Sequence, residues 1–96
     1  MFASIRTYRV NQDQRDEVIR RVDEGWADEL RRQRYALSYL VVATGPGELV
    51  SITACQDEKT LGMVVEKSAE WVGAHLMDLD VTLLEERRGQ VVSHFG

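Results

Sequence analysis

The chain has 96 residues, a net charge of −4 and a single cysteine, Cys55. That length predicts one small domain over residues 1–96, and the negative charge argues against nucleic acid as a partner. The sequence has no run of 18 apolar residues and no basic N-terminal region followed by an apolar stretch, so we expect neither a membrane span nor a signal peptide. A lone cysteine cannot form an intrachain disulfide, which fits a reducing environment and predicts a cytoplasmic protein.

The first third of the chain predicts a strand followed by a helix. Residues 2–10 alternate between apolar and polar side chains, as strands do. Asn11 or Asp13 then offers a cap for a helix over residues 13–33, in which the apolar residues recur at helical spacing. Trp26 lies in the middle of that apolar stripe, which predicts a position in the core.

The rest of the chain predicts a hairpin, a second helix and a last strand. Residues 35–44 and 48–56 read as strands, because a Gly-Pro-Gly turn separates two β-rich runs. A helix is expected over residues 58–77. The last short strand is predicted over residues 90–95, with residues 82–86 as an extension of it or an approach to it.

The resulting order, β-α-β-β-α-β, is the split βαβ arrangement of an α+β fold, with both helices on one face of an antiparallel sheet. The second strand is apolar on both faces, and strands of that kind are usually buried on both sides. Two helices cover only one face, so the other face must pack against a partner. The simplest partner is a second copy of the chain, which predicts a homodimer. The alternating side chains are Leu37, Tyr39, Val41 and Ala43 on one face, and Ala36, Leu40 and Val42 on the other.

Two segments carry a family resemblance, "YLVVATGPGELVSITACQDEKT" and "EKSAEWVGAHL". They resemble the hairpin and second helix of the antibiotic-biosynthesis-monooxygenase-like family of the dimeric α/β-barrel superfamily. The resemblance implies a ferredoxin-like fold whose sheets pair face to face into a dimeric barrel, with a pocket between helices and sheet. It also implies a cofactor-independent monooxygenase or related tailoring enzyme acting on a small aromatic or polyketide-like substrate. The alternative is a non-catalytic dimeric module that binds a hydrophobic or aromatic small molecule.

Haem degradation is a more distant alternative. Haem-degrading relatives carry an Asn on the first strand, a Trp within the second helix and a His near its end. Here Asn11 lies beyond the first strand and Val64 occupies the position that best matches the Trp. Only His75 falls where the family has its histidine. We therefore expect no cofactor.

The edge of the second helix supplies the candidate site. In a helical projection at about 100° per residue, four residues fall together along one edge of the apolar stripe, at the expected border of a cleft: Val64, Ser68, Trp71 and His75. We predict His75 as a catalytic acid–base group and Trp71 as an aromatic wall of the substrate site, with Ser68 and Val64 as further contacts. The competing interpretation is that Trp71 covers the margin of the core and His75 caps the helix end.

Three further residues bear on the site. Tyr39, on the second strand, is predicted to contact substrate. Arg6 and Arg9 point to opposite faces of the first strand, so one of them is expected to point inward, where a guanidinium could bind a phenolate or carboxylate. The pattern does not decide which face meets the helices. No metal site is expected, because the two histidines lack a carboxylate at ligand spacing.

Overall fold

The structure is a computed structural model that describes residues 1–95. It contains one four-stranded antiparallel sheet and two long helical elements. The strands are β1 (Phe2–Val10), β2 (Ser38–Gly45), β3 (Glu48–Cys55) and β4 (Val81–Gln90). Helix α1 is a continuous run of a 3-10 turn (Gln12–Gln14), an α segment (Arg15–Arg21), a π turn (Val22–Trp26) and a second α segment (Ala27–Gln33). Helix α2 spans Glu58–His75.

Side-chain caps determine where the helices begin. The Asn11 side chain accepts a hydrogen bond from the Asp13 amide at 2.9 Å, which confirms Asn11 as the cap of α1. Asp57 accepts from the Thr60 amide at 2.7 Å and starts α2 in the same way. Helix α1 ends at Arg34, whose left-handed backbone (φ 56°) turns the chain out of the helix.

The strand order is β2-β3-β1-β4, with all neighbours antiparallel, which is the ferredoxin-like arrangement. The core residues come from both helices and from one face of the sheet, so both helices cover the same face. On β1 the even-numbered residues face the helices: Ser4 is 1% and Arg6 is 7% exposed, whereas Ile5 is 45% exposed. The α+β split arrangement predicted from the sequence is therefore confirmed, and the structure decides which face meets the helices.

The other face of the sheet carries an apolar patch, here called the open face. Leu40, Ile52 and Ile5 are neighbours across three adjacent strands and point away from the helices. Val42 and Val50 form the next pair along the sheet. Leu40 is 54% exposed, and no element of residues 1–95 covers it. Contiguous apolar surface of this kind marks an interaction site.

The last strand corrects the sequence prediction. It spans Val81–Gln90, and residues 91–95 have no regular structure, so the strand predicted over 90–95 is wrong. The segment considered only as its extension is instead the strand itself. Within residues 1–95, β4 pairs only with β1 and its residues are mostly exposed, so it is defined by backbone pairing and not by burial. A charged edge strand of this kind lacks the apolar alternation by which strands are recognised.

Candidate functional site

Two adjacent cavities lie between the helices and the sheet. The inner cavity has a volume of about 40 Å³ and lies under both helices. The outer cleft, of about 470 Å³, lies between α1 and β2. The inner cavity adjoins the cleft, because the two share four lining residues: Val22, Tyr39, Val41 and Leu49. The cleft is within the size range of small-molecule sites, and the inner cavity holds about one water-sized group.

Trp71 forms a wall of the inner cavity and is 9% exposed. Its indole lies against Gly25 in the π turn of α1, where a Cβ atom would lie 2.6 Å from Cζ2 of the ring. The His75 ring also stacks on the indole, at a centroid distance of 4.7 Å. Glycine in the π turn thus makes room for the ring, and π turns are frequent at functional sites.

His75 lies on the solvent side of Trp71. Its side chain is exposed and lines neither cavity. Nδ1 lies 3.0 Å from the Trp71 carbonyl oxygen, which accepts when that nitrogen carries the proton. The sequence pattern brings Trp71 and His75 together as expected. However, the imidazole supports the indole from outside the cavity, so its predicted acid–base role gains no support from its position.

Ser68 lines the inner cavity and connects it to a buried cation. Arg6 donates from Nη1 to Ser68 Oγ at 3.2 Å, and its Nε lies 3.9 Å from Glu86 Oε2. The Arg6 Cζ atom lies 5.4 Å from the centre of the Tyr8 ring. Arg6 is thus the arginine of β1 that points inward, while Arg9 points to the opposite face.

The tyrosines of the inner cavity are hydrogen-bond donors. Tyr39 lines both cavities, and Tyr8 lines the inner one. Burial raises the pKa of both phenols, so they keep their protons at neutral pH and donate hydrogen bonds. Val64, predicted as a substrate contact, is 1% exposed in the core and lines neither cavity.

Trp26 is the residue that sequence reasoning missed. Its core position is confirmed, since it is 3% exposed, but it also lines the inner cavity. Its indole N–H is buried and has no hydrogen-bond partner within residues 1–95. Helical periodicity placed this side chain in the core, but periodicity carries no information about which part of a core borders a cavity.

The fit between Gly25 and Trp71 makes a testable prediction. In Gly25→Ala the added methyl group would overlap the edge of the Trp71 indole, so we expect overpacking to destabilise the fold by about 1–3 kcal/mol. Gly73→Ala is the matched control, because a Cβ there meets no atom within 4 Å and alanine favours the helix by about 0.5–1 kcal/mol. Urea denaturation at one protein concentration measures the free energy of unfolding of both variants, which should fall for Gly25→Ala and rise for Gly73→Ala. Equal stability of the two variants would contradict the close contact.

Comparison with protein-family models and with curated proteins gives no match. Solved structures do match over nearly the whole chain. A dimeric ferredoxin-like protein from an uncultured marine organism superposes with a TM-score of 0.74 at 14% identity, covering 98% of this chain and 96% of its own. A protein from Chloroflexus aurantiacus J-10-fl that is described as an antibiotic biosynthesis monooxygenase gives a TM-score of 0.73 at 17% identity, covering 99% and 96%.

A third match has a ligand. The monooxygenase from the gene ActVA-Orf6 of Streptomyces coelicolor, in complex with Nanaomycin D, gives a TM-score of 0.67 at 17% identity, with 97% of this chain and 92% of that chain covered. The chain shares the fold of these proteins. The ferredoxin-like fold of the protomer, which the resemblance to antibiotic biosynthesis monooxygenases implies, is therefore confirmed. Identities this low establish the fold and leave the activity to the site.

Two further observations concern membranes and metals. Within the described chain, no helix combines the length and the apolarity needed to span a membrane. Among residues 1–95, no cluster of three or more His, Cys, Asp or Glu side chains is placed to hold a metal ion.

Proposed function

We propose that this single-domain protein is a dimeric, cofactor-independent monooxygenase or related tailoring enzyme, which binds a small flat aromatic or polyketide-like molecule. The observation that carries the proposal is the shape of the site: a cleft of about 470 Å³ adjoins a smaller cavity that is walled by the Trp71 indole. The fold shared with monooxygenases, one of them in complex with Nanaomycin D, adds support.

The reaction class follows from what such a substrate can do without a cofactor. An anthrone- or quinol-type molecule supplies its own electrons to oxygen once it is deprotonated. In the anthrone case, the ring methylene loses two hydrogens and gains one oxygen atom of O₂, while the other oxygen atom leaves as water. The protein then has to exclude water and stabilise the deprotonated substrate, and buried hydrogen-bond donors perform that task.

The walls of the inner cavity fit the stabilising task better than the proton-abstracting one. They contain hydroxyl groups and an indole N–H, and neither a carboxylate nor a histidine of the described chain lines them. A proton from the substrate would leave to water through the outer cleft, which Asp23 also lines. The same observation favours the second candidate, a dimeric module that binds an aromatic molecule without converting it.

The test combines binding with oxygen consumption. We expect anthrones and quinols to quench the tryptophan fluorescence of the wild-type protein, because both tryptophans line the inner cavity. Trp71→Ala should raise the Kd by about tenfold or more, which corresponds to the loss of an aromatic contact of about 1.5 kcal/mol. Oxygen uptake above the uncatalysed rate supports the enzyme, whereas tight binding with no uptake for any substrate supports the binding module.

His75→Ala separates two roles of the histidine in the same assay. Loss of a general base lowers the rate by about 10²–10⁴ with little change in Kd. Loss of a support for Trp71 instead raises the Kd, and the rate falls less. We expect the second result from the position of the ring. The first result would restore the acid–base role predicted from the sequence.

A further inference from the structure

Every polar side chain that lines the inner cavity can donate a hydrogen bond to a ligand. The phenols of Tyr8 and Tyr39 stay protonated because burial raises the pKa of each. The Trp26 indole can only donate, and its N–H has no partner within residues 1–95. Ser68 and Ser51 contribute further donors, their hydroxyl groups. A ligand oxygen that enters this cavity is therefore met by donors.

Arg6 places a positive charge directly behind one of these donors. It is 7% exposed, and its Nη1 donates to Ser68 Oγ at 3.2 Å. Since the serine oxygen already accepts from the guanidinium, its own proton is free to point into the cavity. A ligand oxygen bonded to that hydroxyl would lie about 6 Å or less from Arg6 Nη1, given ordinary O–H···O distances. At that range in a buried site a charge acts strongly on an ionisable group.

The positive charge of Arg6 is only partly compensated. Glu86, on β4, is its nearest carboxylate, with the shortest contact 3.9 Å from Nε. That carboxylate also accepts from Ser4 at 3.1 Å and from Arg88 at 3.2 Å, so it is shared with a second arginine. The Arg6 Nε–H itself has no partner within residues 1–95. The other ionisable groups are more remote: Asp23 and Arg31, on α1, line the outer cleft.

We propose that Arg6, acting through the Ser68 hydroxyl, makes the inner cavity select the oxyanion of its ligand, a phenolate or enolate, over the neutral form. The inference rests on the proposed function, because it concerns the same cavity and names the form of the substrate that is bound. Arg6 is a positioning residue in this scheme: it orients and polarises Ser68, and Ser68 makes the contact. Neither residue needs to abstract the proton.

A pair of probes tests this directly. 2-Naphthol ionises and its anion has a distinct absorption spectrum, while 2-methoxynaphthalene has a similar shape and no proton to lose. We expect both to bind, and the pKa of 2-naphthol to be lower by about 1–3 when it is bound than when it is free, as a nearby opposite charge produces. Because binding and ionisation are then linked, the affinity for 2-naphthol rises about tenfold per pH unit as the pH is raised from the bound pKa to the free pKa. The affinity for the ether stays constant.

Substitutions assign the effect to the proposed pair. Ser68→Ala and Arg6→Met should each bring the pKa of bound 2-naphthol closer to that of the free molecule. With Arg6→Lys, which keeps the positive charge, that pKa should lie between the values for Arg6→Met and for the wild-type protein. Glu86→Gln removes the compensating charge, so it should lower that pKa further. Arg9→Gln removes the same charge as Arg6→Met from the opposite face of β1 and should leave the pKa of the bound probe unchanged. Melting temperatures identify any variant that fails to fold, and Ser68→Ala and Glu86→Gln keep the test independent of Arg6→Met.

The outcomes separate the two proposals. Two results would overturn the oxyanion inference while the aromatic site stands. In the first, both probes bind but the pKa of 2-naphthol is the same bound and free. In the second, that pKa is lowered to the same extent in the Ser68→Ala variant as in the wild-type protein. If neither probe binds, the aromatic site itself is refuted, and the inference is refuted with it. If Arg9→Gln abolishes the lowered pKa, net charge controls ionisation and the Arg6–Ser68 pair does not.

Discussion

Ile5→Asp should convert the protein from a dimer into a monomer. We expect the wild-type chain to run in light scattering at twice its 11.0 kDa mass at micromolar concentration, because the open face needs a partner. Ile5 lies on one of the two central strands, next to Ile52, and is 45% exposed in the protomer. An aspartate there stays hydrated in the monomer but would be buried without a partner in a face-to-face dimer.

The matched control is Met63→Asp. Met63 lies on α2 and is 37% exposed, so the same charge is introduced on the helical side of the molecule at similar exposure. This variant should remain dimeric. A monomeric wild-type protein, or a dimer that survives Ile5→Asp, would contradict pairing through the open face. A dimer formed through the open face would affect the site as well, because β2 lines the outer cleft with one face and contributes Leu40 to the open face with the other.

Most of the fold was predictable because its signals are local. Asn11 and Asp57 start helices through side-chain caps, and the Gly-Pro-Gly turn joins two strands that pair with each other. β4 was not predictable from alternation, because a charged edge strand is held by its backbone hydrogen bonds to β1. The π turn around Gly25 also leaves no periodic signal, since one extra residue in a helix turn barely changes the spacing of its apolar positions.

The sequence did not predict which face of the sheet meets the helices, because polar side chains occupy several helix-facing positions. Ser4, Arg6 and Thr53 are buried on that face, while Ile5 is exposed on the other. The simple rule that apolar residues point inward therefore fails here. The reason is the polar network around Arg6, which is part of the candidate site. Places where a sequence breaks such a rule are often functional.

The candidate site was predictable in part. The edge of α2 places Ser68 and Trp71 at one cavity, and Tyr39 reaches the same cavity from β2, while their roles toward a substrate stay predictions. A helical projection gives the angle of a residue around the axis, but not what lies opposite it. Val64 therefore falls within the packed core, and His75, at the end of the helix, falls outside the cavity.

The two tryptophans should differ strongly in their contribution to stability. Trp26→Ala should lower the free energy of unfolding by about 3–5 kcal/mol, because it removes a side chain that is 3% exposed and leaves a cavity in the core. Trp71→Phe keeps an aromatic ring in the wall of an existing cavity, so we expect a loss of less than about 1.5 kcal/mol. The larger loss is a substantial fraction of the stability of a small domain.

Urea denaturation measured at one fixed protein concentration checks both values, since dimer formation makes apparent stability depend on concentration. Trp26→Phe adds a sharper comparison. It removes volume but also removes an indole N–H that has no partner within residues 1–95, and an unpaired buried donor costs about 1–3 kcal/mol. Its net loss should therefore be well below that of Trp26→Ala. If Trp71→Phe proves as destabilising as Trp26→Ala, the Trp71 indole contributes to the core as Trp26 does, and the expected difference between the two tryptophans is refuted.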